Sequence, residues 1–383
     1  MKIVWATRLR GFLKHVSEGI EDINFVSEDN FYEVNTLKHK ILSKLIHCKI
    51  FDWLGKFSVI EISGKDCDMY GSFNRFLKTD KPYFIYLENP TALYHYCLNR
   101  ISYKSGAKKF AACLNDDNLK GIICMSDACR ESFERINGKL PERILFRTIY
   151  PFVPDNKNID PDKIIEKSHG EKLELLYCVQ GVRFVSKGGL EVVEAVKRLN
   201  NPNIHLTVIT KINDVDKKII KALHSVENVD LFDFNFKYNE LEKIYAKTNV
   251  LIQPTSDDSF GLTILEAMKG GCAILASDLY SISELVADGD NGFLVEPKYR
   301  FFDKENIPNP KVWNHRKKTI YSTKTSDRLV ADLCEKISLL NEDRNLLARL
   351  SINSYNKSVG NAEFGEEKIK NDVVRFLDDC IKN

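Results

Sequence analysis

Two acidic side chains, Asp258 and Glu266, lie eight positions apart in the segment SDDSFGLTILEAMKGGCAILASD at 256–278. An apolar run ends at Pro254, a short polar loop follows, and an amphipathic stretch begins near Gly261. The pattern predicts a strand, a turn and a helix. The first backbone N–H groups of a helix have no internal partner and the helix dipole is positive there, so such a turn can bind a phosphate or diphosphate. Gly261 removes the side chain where a phosphate would approach the backbone. Glu266, about one and a half turns into the helix, is a carboxylate that could accept from paired hydroxyls such as those of a ribose. Asp258, on the loop, could accept from the hydroxyls of a second ring. An ordinary βα turn with a capping Asp or Ser and a surface Glu has the same local chemistry, which leaves both readings open.

A second constellation is GVRFVSKGG at 181–189, between an apolar run and the next amphipathic stretch. Arg183 and Lys187 would sit at the carboxyl end of a strand. A fixed Arg/Lys pair can stabilise negative charge that develops on a phosphate group. Two solvated cations in a turn share this spacing. In the first half, YLENPTALYHY at 86–96 places Glu88 and Asn89 at the carboxyl end of an expected strand. Glu88 and His95 are candidates for a base or a sugar ligand, and Glu88 is equally a candidate helix cap. In WATRLRGFLKH at 5–15, Arg8 and Arg10 are candidate phosphate contacts and Gly11 a candidate for close approach to the chain.

Short apolar runs alternate with longer amphipathic ones, the signature of parallel sheets covered by helices. Expected strands in the first half are Lys2–Ala6, Val59–Ser63, Tyr83–Leu87 and Gly121–Ser126. A helix capped by Asp127 should run through Cys129–Ile136 and end at Asn137-Gly138. The segment 149–163, with three prolines and a polar run, breaks the rhythm and is read as a linker. After it, strands are expected at Leu173–Val179, His205–Thr210, Asn228–Phe232, Val250–Pro254 and Cys272–Ser277. Helices are expected at Gly188–Leu199, Val215–Ser225, Asn239–Lys247, Gly261–Lys269 and Ile282–Asp288. Residues 298–325 read as an irregular insertion with a basic run at His315–Lys318, and Ser326–Asn383 as helices. The expected organisation is a first domain at 1–150, a linker at 151–163, a second domain at 164–360, and a last helix at 361–383. The fold class is α/β, two Rossmann-like domains facing a cleft, with ligands beyond the carboxyl ends of the strands.

The stretch D-S-F-G-L-T-I-L-E-A-M-K-G-G resembles the signature of the retaining glycosyltransferases of family 4, which have the B-type fold. That signature reads E-G-F-G-L-x-x-x-E-A-M-A-x-G. Phe260, Gly261, Leu262, Glu266, Ala267, Met268 and Gly270 match it, and the likeness continues through Ala276-Ser277, Ser283-Glu284-Leu285 and GDNGFLVEP at 289–297. The resemblance implies that Glu266 binds the ribose of a nucleotide-sugar, that backbone amides of Gly261, Leu262 and Thr263 hold its diphosphate, and that the first acidic position binds the donor sugar. Here that position is Asp258 where Glu is usual, followed by Ser259 where Gly is usual. The family's loop G-R-L-x-x-x-K-G is similar to GVRFVSKGG, but Arg183 precedes Lys187 by four residues rather than five and Val182 holds the usual Arg place.

The implied activity is metal-independent transfer of a sugar, with retention, from a nucleotide-sugar to a glycan or lipid-linked glycan of the kind used in cell-envelope polysaccharide synthesis. The last helix would cross back onto the first domain. No cofactor is expected, and the triplets Asp66-Cys67-Asp68 and Asp288-Gly289-Asp290 are discounted as metal sites. A nucleotide-sugar epimerase of the same fold and a non-catalytic scaffold remain alternatives. A dehydrogenase does not, because no G-x-G-x-x-G follows the first strand.

The bulk properties agree. A chain of 383 residues, 43% apolar, suits two domains. A formal charge of +2 gives no global attraction to nucleic acid. Ten cysteines without a C-x-x-C pair, several in apolar runs, point to reduced thiols and a cytoplasmic location. No stretch reaches the roughly 20 apolar residues of a membrane span. LKHKILSKLIHCKIFDWLGKF at 37–57 carries five lysines against one aspartate among Ile, Leu, Phe and Trp. It reads either as a covering helix or as a contact with an anionic membrane surface.

Overall fold

The computed structural model describes residues 1–9, 11–27 and 49–382. The chain divides into two compact units, Met1–Phe152 together with Glu367–Asn383, and Val153–Glu366.

The first unit is built on a parallel sheet of β1 (Lys2–Trp5), β2 (Asn24–Ser27), β4 (Met69–Phe73), β6 (Tyr83–Leu87), β7 (Leu119–Cys124) and β8 (Leu145–Thr148), in the order β2-β1-β4-β6-β7-β8. Between them β3 (Val59–Glu61) and β5 (Phe76–Lys78) form a separate parallel pair. β4 and β6 are buried along their whole length, as strands covered on both faces must be. The sequence MYGSF of β4 hides its nature behind a glycine. A Cβ on Gly71 would lie 2.8 Å from the Trp5 ring and 3.0 Å from Phe84, so the glycine makes room for aromatic packing. Helix Gly11–Gly19 brings Phe12 onto Phe73 and Tyr86. Helix Glu366–Lys382 brings Phe376 onto Phe84 and over Gly121, where a Cβ would be 2.4 Å from the Phe376 ring.

The helix expected from Asp127 is capped one residue earlier. Ser126 accepts from the Cys129 N–H at 3.0 Å, and Asp127, the first helical residue, accepts instead from the Thr148 hydroxyl at 2.6 Å. Ser126 has extended backbone angles, as a cap requires, whereas Asp127 is already inside the helix.

The second unit has a parallel sheet of β9 (Leu173–Val179), β10 (Ile204–Thr210), β11 (Val229–Asp233), β12 (Val250–Gln253), β13 (Ala273–Ser277) and β14 (Gly292–Val295), ordered β11-β10-β9-β12-β13-β14. β9 and β12 meet at Leu175–Val250 and Leu176–Leu251. Helices Gly189–Leu199, Lys217–Leu223, Tyr238–Lys247, Leu262–Lys269, Asp327–Glu342 and Arg344–Ser358 accompany the sheet. A further helix, Pro161–Ser168, starts inside the segment read as linker, because Asp160 caps it and Pro161 pre-sets its first turn. Its Lys167 ammonium is buried and donates to three carbonyls, Thr248 (2.7 Å), Gly270 (2.8 Å) and Tyr245 (3.4 Å). It thereby ties together the carboxyl ends of helices Tyr238–Lys247 and Leu262–Lys269, where the helix dipoles favour a cation.

The corner GDNG is structural. Asn291 bonds to the Ala287 amide and the Leu285 carbonyl, and a Cβ on Gly292 would lie 2.2 Å from the Ile274 carbonyl oxygen. The insertion at 298–325 is packed rather than loose. Phe301 stacks on Trp313 at 4.0 Å, Phe302 on Tyr280 at 3.9 Å, and Arg316 of the basic run lies 5.0 Å over both Phe301 and Trp313. Every cysteine among the described residues is free.

Candidate functional site

In the second sheet β10 lies on one side of β9, and β13 on the far side of β12. The chain therefore leaves β9 and β12 in opposite directions, and a crevice opens at their carboxyl ends. The two loops that border this crevice are 180–188 and 254–261, which carry both constellations read from the sequence. They are fastened to each other. The Ser256 amide donates to the Ser186 carbonyl at 2.9 Å, and Gly188, at φ +83°, lies so close to Pro254 that a Cβ would be 2.5 Å from its carbonyl oxygen. From below, Phe184 packs on Tyr177, whose hydroxyl donates to the Phe184 carbonyl at 2.7 Å.

The fastening sets four charges side by side. Lys187 pairs with Asp258 at 2.5 Å, and Arg183 pairs with Asp257 at 2.5 Å. Gln253, at the end of β12, adds a long contact from its amide to Asp258 at 3.5 Å, and the Phe260 amide donates to the other Asp258 oxygen at 3.3 Å. Burial alone would raise the Asp258 carboxyl. The Lys187 charge and hydrogen bond, the Phe260 amide and Arg183 outweigh it and hold the group below its ordinary value. Burial would likewise weaken the Arg183 guanidinium, yet Asp257, Tyr321 and Asp258 hold it above the usual arginine range. Arg183 reaches this cluster although its spacing is one residue short. A 3-10 turn over Gly181–Arg183 rotates its side chain inward and leaves Val182, at the usual Arg place, 60% exposed.

Helix Leu262–Lys269 begins at Gly261, whose φ of +96° suits glycine. Its first internal bond is from the Ile264 amide to the Gly261 carbonyl at 2.9 Å, so the amides of Leu262 and Thr263 precede the helical ladder. Phe260 is buried and anchors the turn, while the Ser259 carbonyl accepts from the Ser281 hydroxyl at 2.9 Å. Glu266 is half-buried, and its Oε2 accepts from the Tyr245 hydroxyl at 2.9 Å. Burial pushes the Glu266 carboxyl up to about 7. The Tyr245 hydrogen bond lowers it and the nearby Glu242 charge raises it.

The first-unit candidates fall elsewhere in their own sheet. Glu88 follows β6 and accepts from the Tyr96 hydroxyl, and its amide donates to Asn74 at 3.0 Å. His95 ends a 3-10 turn, and its Nε2 accepts from the Ser58 amide at 2.9 Å. Gly11 starts helix Gly11–Gly19 with open space around the position of a Cβ, and Arg8 is exposed. Arg10 and most of 37–57 lie outside the described residues. The two D-x-D triplets serve the chain's own donors. Asp66 pairs with Lys2 at 2.8 Å and Asp68 accepts from the Lys2 amide at 2.7 Å, while Asp288 accepts from the Leu294 amide at 2.9 Å and Asp290 from Asn353 at 2.9 Å.

Three residues of the site escaped the sequence reading. Asp257 is flagged only by standing next to Asp258. Gln253 is flagged only as a polar end to an apolar strand. Tyr245, 21 residues before Glu266, carries no local signal, because a strand and a loop separate the two helices that hold them.

Residues 161–301 match the family described as glycosyl transferases group 1. A sucrose synthase of Denitrovibrio acetiphilus is 39% identical over 96 residues, 22% of this chain, and the chain spans 12% of that protein's length. HepE of Anabaena, solved in complex with UDP, superposes with a TM-score of 0.63 at 14% identity, covering 99% of this chain and 100% of that one. WaaG, a glycosyltransferase involved in lipopolysaccharide biosynthesis, superposes with a TM-score of 0.58 at 15% identity, covering 97% and 99%. At such identities the likeness carries the fold. The chain thus has the B-type glycosyltransferase fold, and residues 161–301, which hold both loops and Glu266, match the family of group 1 glycosyl transferases.

Proposed function

We propose that this chain is a retaining glycosyltransferase that moves a sugar from a nucleotide-sugar donor to a glycan or lipid-linked glycan acceptor. The observation that carries the reading is the meeting of Lys187 and Asp258, at 2.5 Å, in the crevice between β9 and β12. A cation and a carboxylate so placed suit the two halves of a sugar diphosphate. The diphosphate takes Lys187 and Arg183 from their aspartates, and the leaving group's charge develops against two fixed cations and the start of helix Leu262–Lys269. Asp258, released from Lys187, accepts from hydroxyls of the donor sugar. Glu266 accepts from the ribose. Lysine, arginine and helix dipole supply the neutralisation, so the reading includes no metal, and EDTA should leave turnover unchanged.

The test is thermal denaturation with UDP, GDP, ADP, CMP and dTDP, then with the matching sugar nucleotides. A ligand at about 100 times its Kd adds roughly 2.7 kcal/mol and raises the melting temperature. No response from any of them would overturn the reading. HepE, of the same fold, was solved with UDP, which makes UDP the first compound to try.

The reading extends to an anionic membrane surface near a lipid-linked acceptor. The described end of the basic stretch supports it. Around helix Lys49–Trp53, Ile50 is 66% exposed, Trp53 64% and Leu54 41%. Apolar side chains beside lysines suit a headgroup boundary. Co-sedimentation with anionic vesicles, released by high salt, is expected. Absence of co-sedimentation would retire the membrane contact and leave the transferase reading intact.

A further inference from the structure

We propose that Tyr245 is a positioning residue for Glu266, holding one carboxylate oxygen so that the other is kept for the ribose of the donor. The inference rests on the donor-site reading above and concerns what makes that site selective for a ribonucleotide.

Glu266 differs from Asp258 in how it is held. Asp258 has an ammonium against it, whereas the titratable groups that face Glu266 are Tyr245, Tyr238 and Glu242 from helix Tyr238–Lys247 and Cys178 from β9. None of these is a cation. The single hydrogen bond to the Glu266 carboxylate among the described residues comes from the Tyr245 hydroxyl at 2.9 Å. A half-buried carboxylate with one donor takes its orientation from that donor.

Tyr245 is itself fixed. Its side chain is 2% exposed. Its carbonyl accepts from Lys167 Nζ at 3.4 Å and from Cys272 Sγ at 3.3 Å. Gly270 sits so close that a Cβ there would be 2.5 Å from the Tyr245 Cβ. The phenol is thus locked at its base, with its hydroxyl directed at Glu266. Burial drives its ionisation far above the ordinary tyrosine range, so it stays a donor at any working pH. A buried tyrosine also needs some acceptor, and a purely structural bond would satisfy that need. The two roles differ in what the ligand feels.

The experiment compares binding of UDP, GDP and ADP with their 2′-deoxy counterparts, by titration calorimetry, in the full chain and in Tyr245→Phe. Phenylalanine keeps the buried ring. For the nucleotide that binds, the unaltered protein should prefer the ribose form about tenfold. The variant should lose about five- to tenfold in affinity for the ribose form, the loss of one hydrogen bond to a charged group, and keep its affinity for the deoxy form. The pH midpoint for binding the ribose form should also move upward, since the lost hydrogen bond favours the ionised carboxylate. In a Glu266→Ala background the same change should have no effect. An equal loss for both forms, or undiminished discrimination in the variant, would overturn the positioning role while the donor site stands. Absence of ribose preference in the unaltered protein would instead sink the assignment of Glu266, and absence of all binding would sink the donor site with it.

Discussion

The two sheets share one plan and differ at one place. Each is parallel, and each reverses its strand order once, between β1 and β4 in the first unit and between β9 and β12 in the second. Each reversal opens a crevice. In the first, the loop after β1 offers Thr7, whose hydroxyl accepts from the Phe73 amide at 2.8 Å, and the exposed Arg8. In the second, Gly188 at positive φ closes on Pro254 of the other loop, and four charges pair across the two loops. Topology supplies the crevice; close backbone approach and opposed charges distinguish the second as the candidate site.

The comparison is broken most strongly at Lys187. Lys187→Ala should lower kcat by about 10²- to 10³-fold, the scale for a group that stabilises transition-state charge, with a smaller change in KM. A change in KM alone would remove Lys187 from the leaving group. Next is Gly188→Ala. Strain at positive φ and the contact with Pro254 should cost about 1–3 kcal/mol of stability and separate the loops, seen as a lower melting temperature and weakened nucleotide binding together. Glu266→Ala should weaken nucleotide binding by about 1–3 kcal/mol, and unchanged affinity would take Glu266 out of the site.

The smaller effects sharpen the contrast. With its folded carboxyl raised from 4.5 to about 7, Glu266 contributes fully to stability below the ordinary carboxyl range, and that contribution is lost as pH rises through about 7. Glu266→Gln should therefore flatten the fall in melting temperature between about pH 5 and 8. Nucleotide affinity, which needs the ionised form, should rise over the same range in the unaltered protein. Arg8→Ala, in the other crevice, should stay within about 0.5 kcal/mol in stability and leave nucleotide affinity unchanged.

Much of the second unit was legible because its central strands, LELLYCV, VLIQ and AILAS, are mostly apolar. Leu173–Val179 and Ala273–Ser277 read plainly as strands, and the glycine and acidic positions around 258–266 mark a strand–turn–helix. The first unit was harder for physical reasons. β4 contains a glycine that exists for Trp5, and β8 has half-buried residues and no clear alternation. The helix at Pro161–Ser168 was hidden by a proline that signals a break in one setting and a first turn in another. Within the candidate site, Lys187, Asp258 and Glu266 were marked by the resemblance of their motifs, whereas spacing alone left an ordinary turn open. Asp257 and Tyr245 did not, because their roles depend on which loops and helices the fold sets side by side.

The first unit is not continuous in sequence, and this has a consequence for synthesis. The helix that covers Phe84 and Gly121 begins at Glu366, whereas the last strand of the sheet it covers ends at Thr148. At the usual rates of translation, roughly two hundred further residues take on the order of ten to forty seconds to appear. For that interval the surface meant for Phe376 stays open on a nascent chain. The second unit, continuous from Val153 to Glu366, meets no such delay. A chaperone that holds ribosome-bound chains would find its target on the first sheet, and a fragment cut after Phe152 would carry the same uncovered surface permanently.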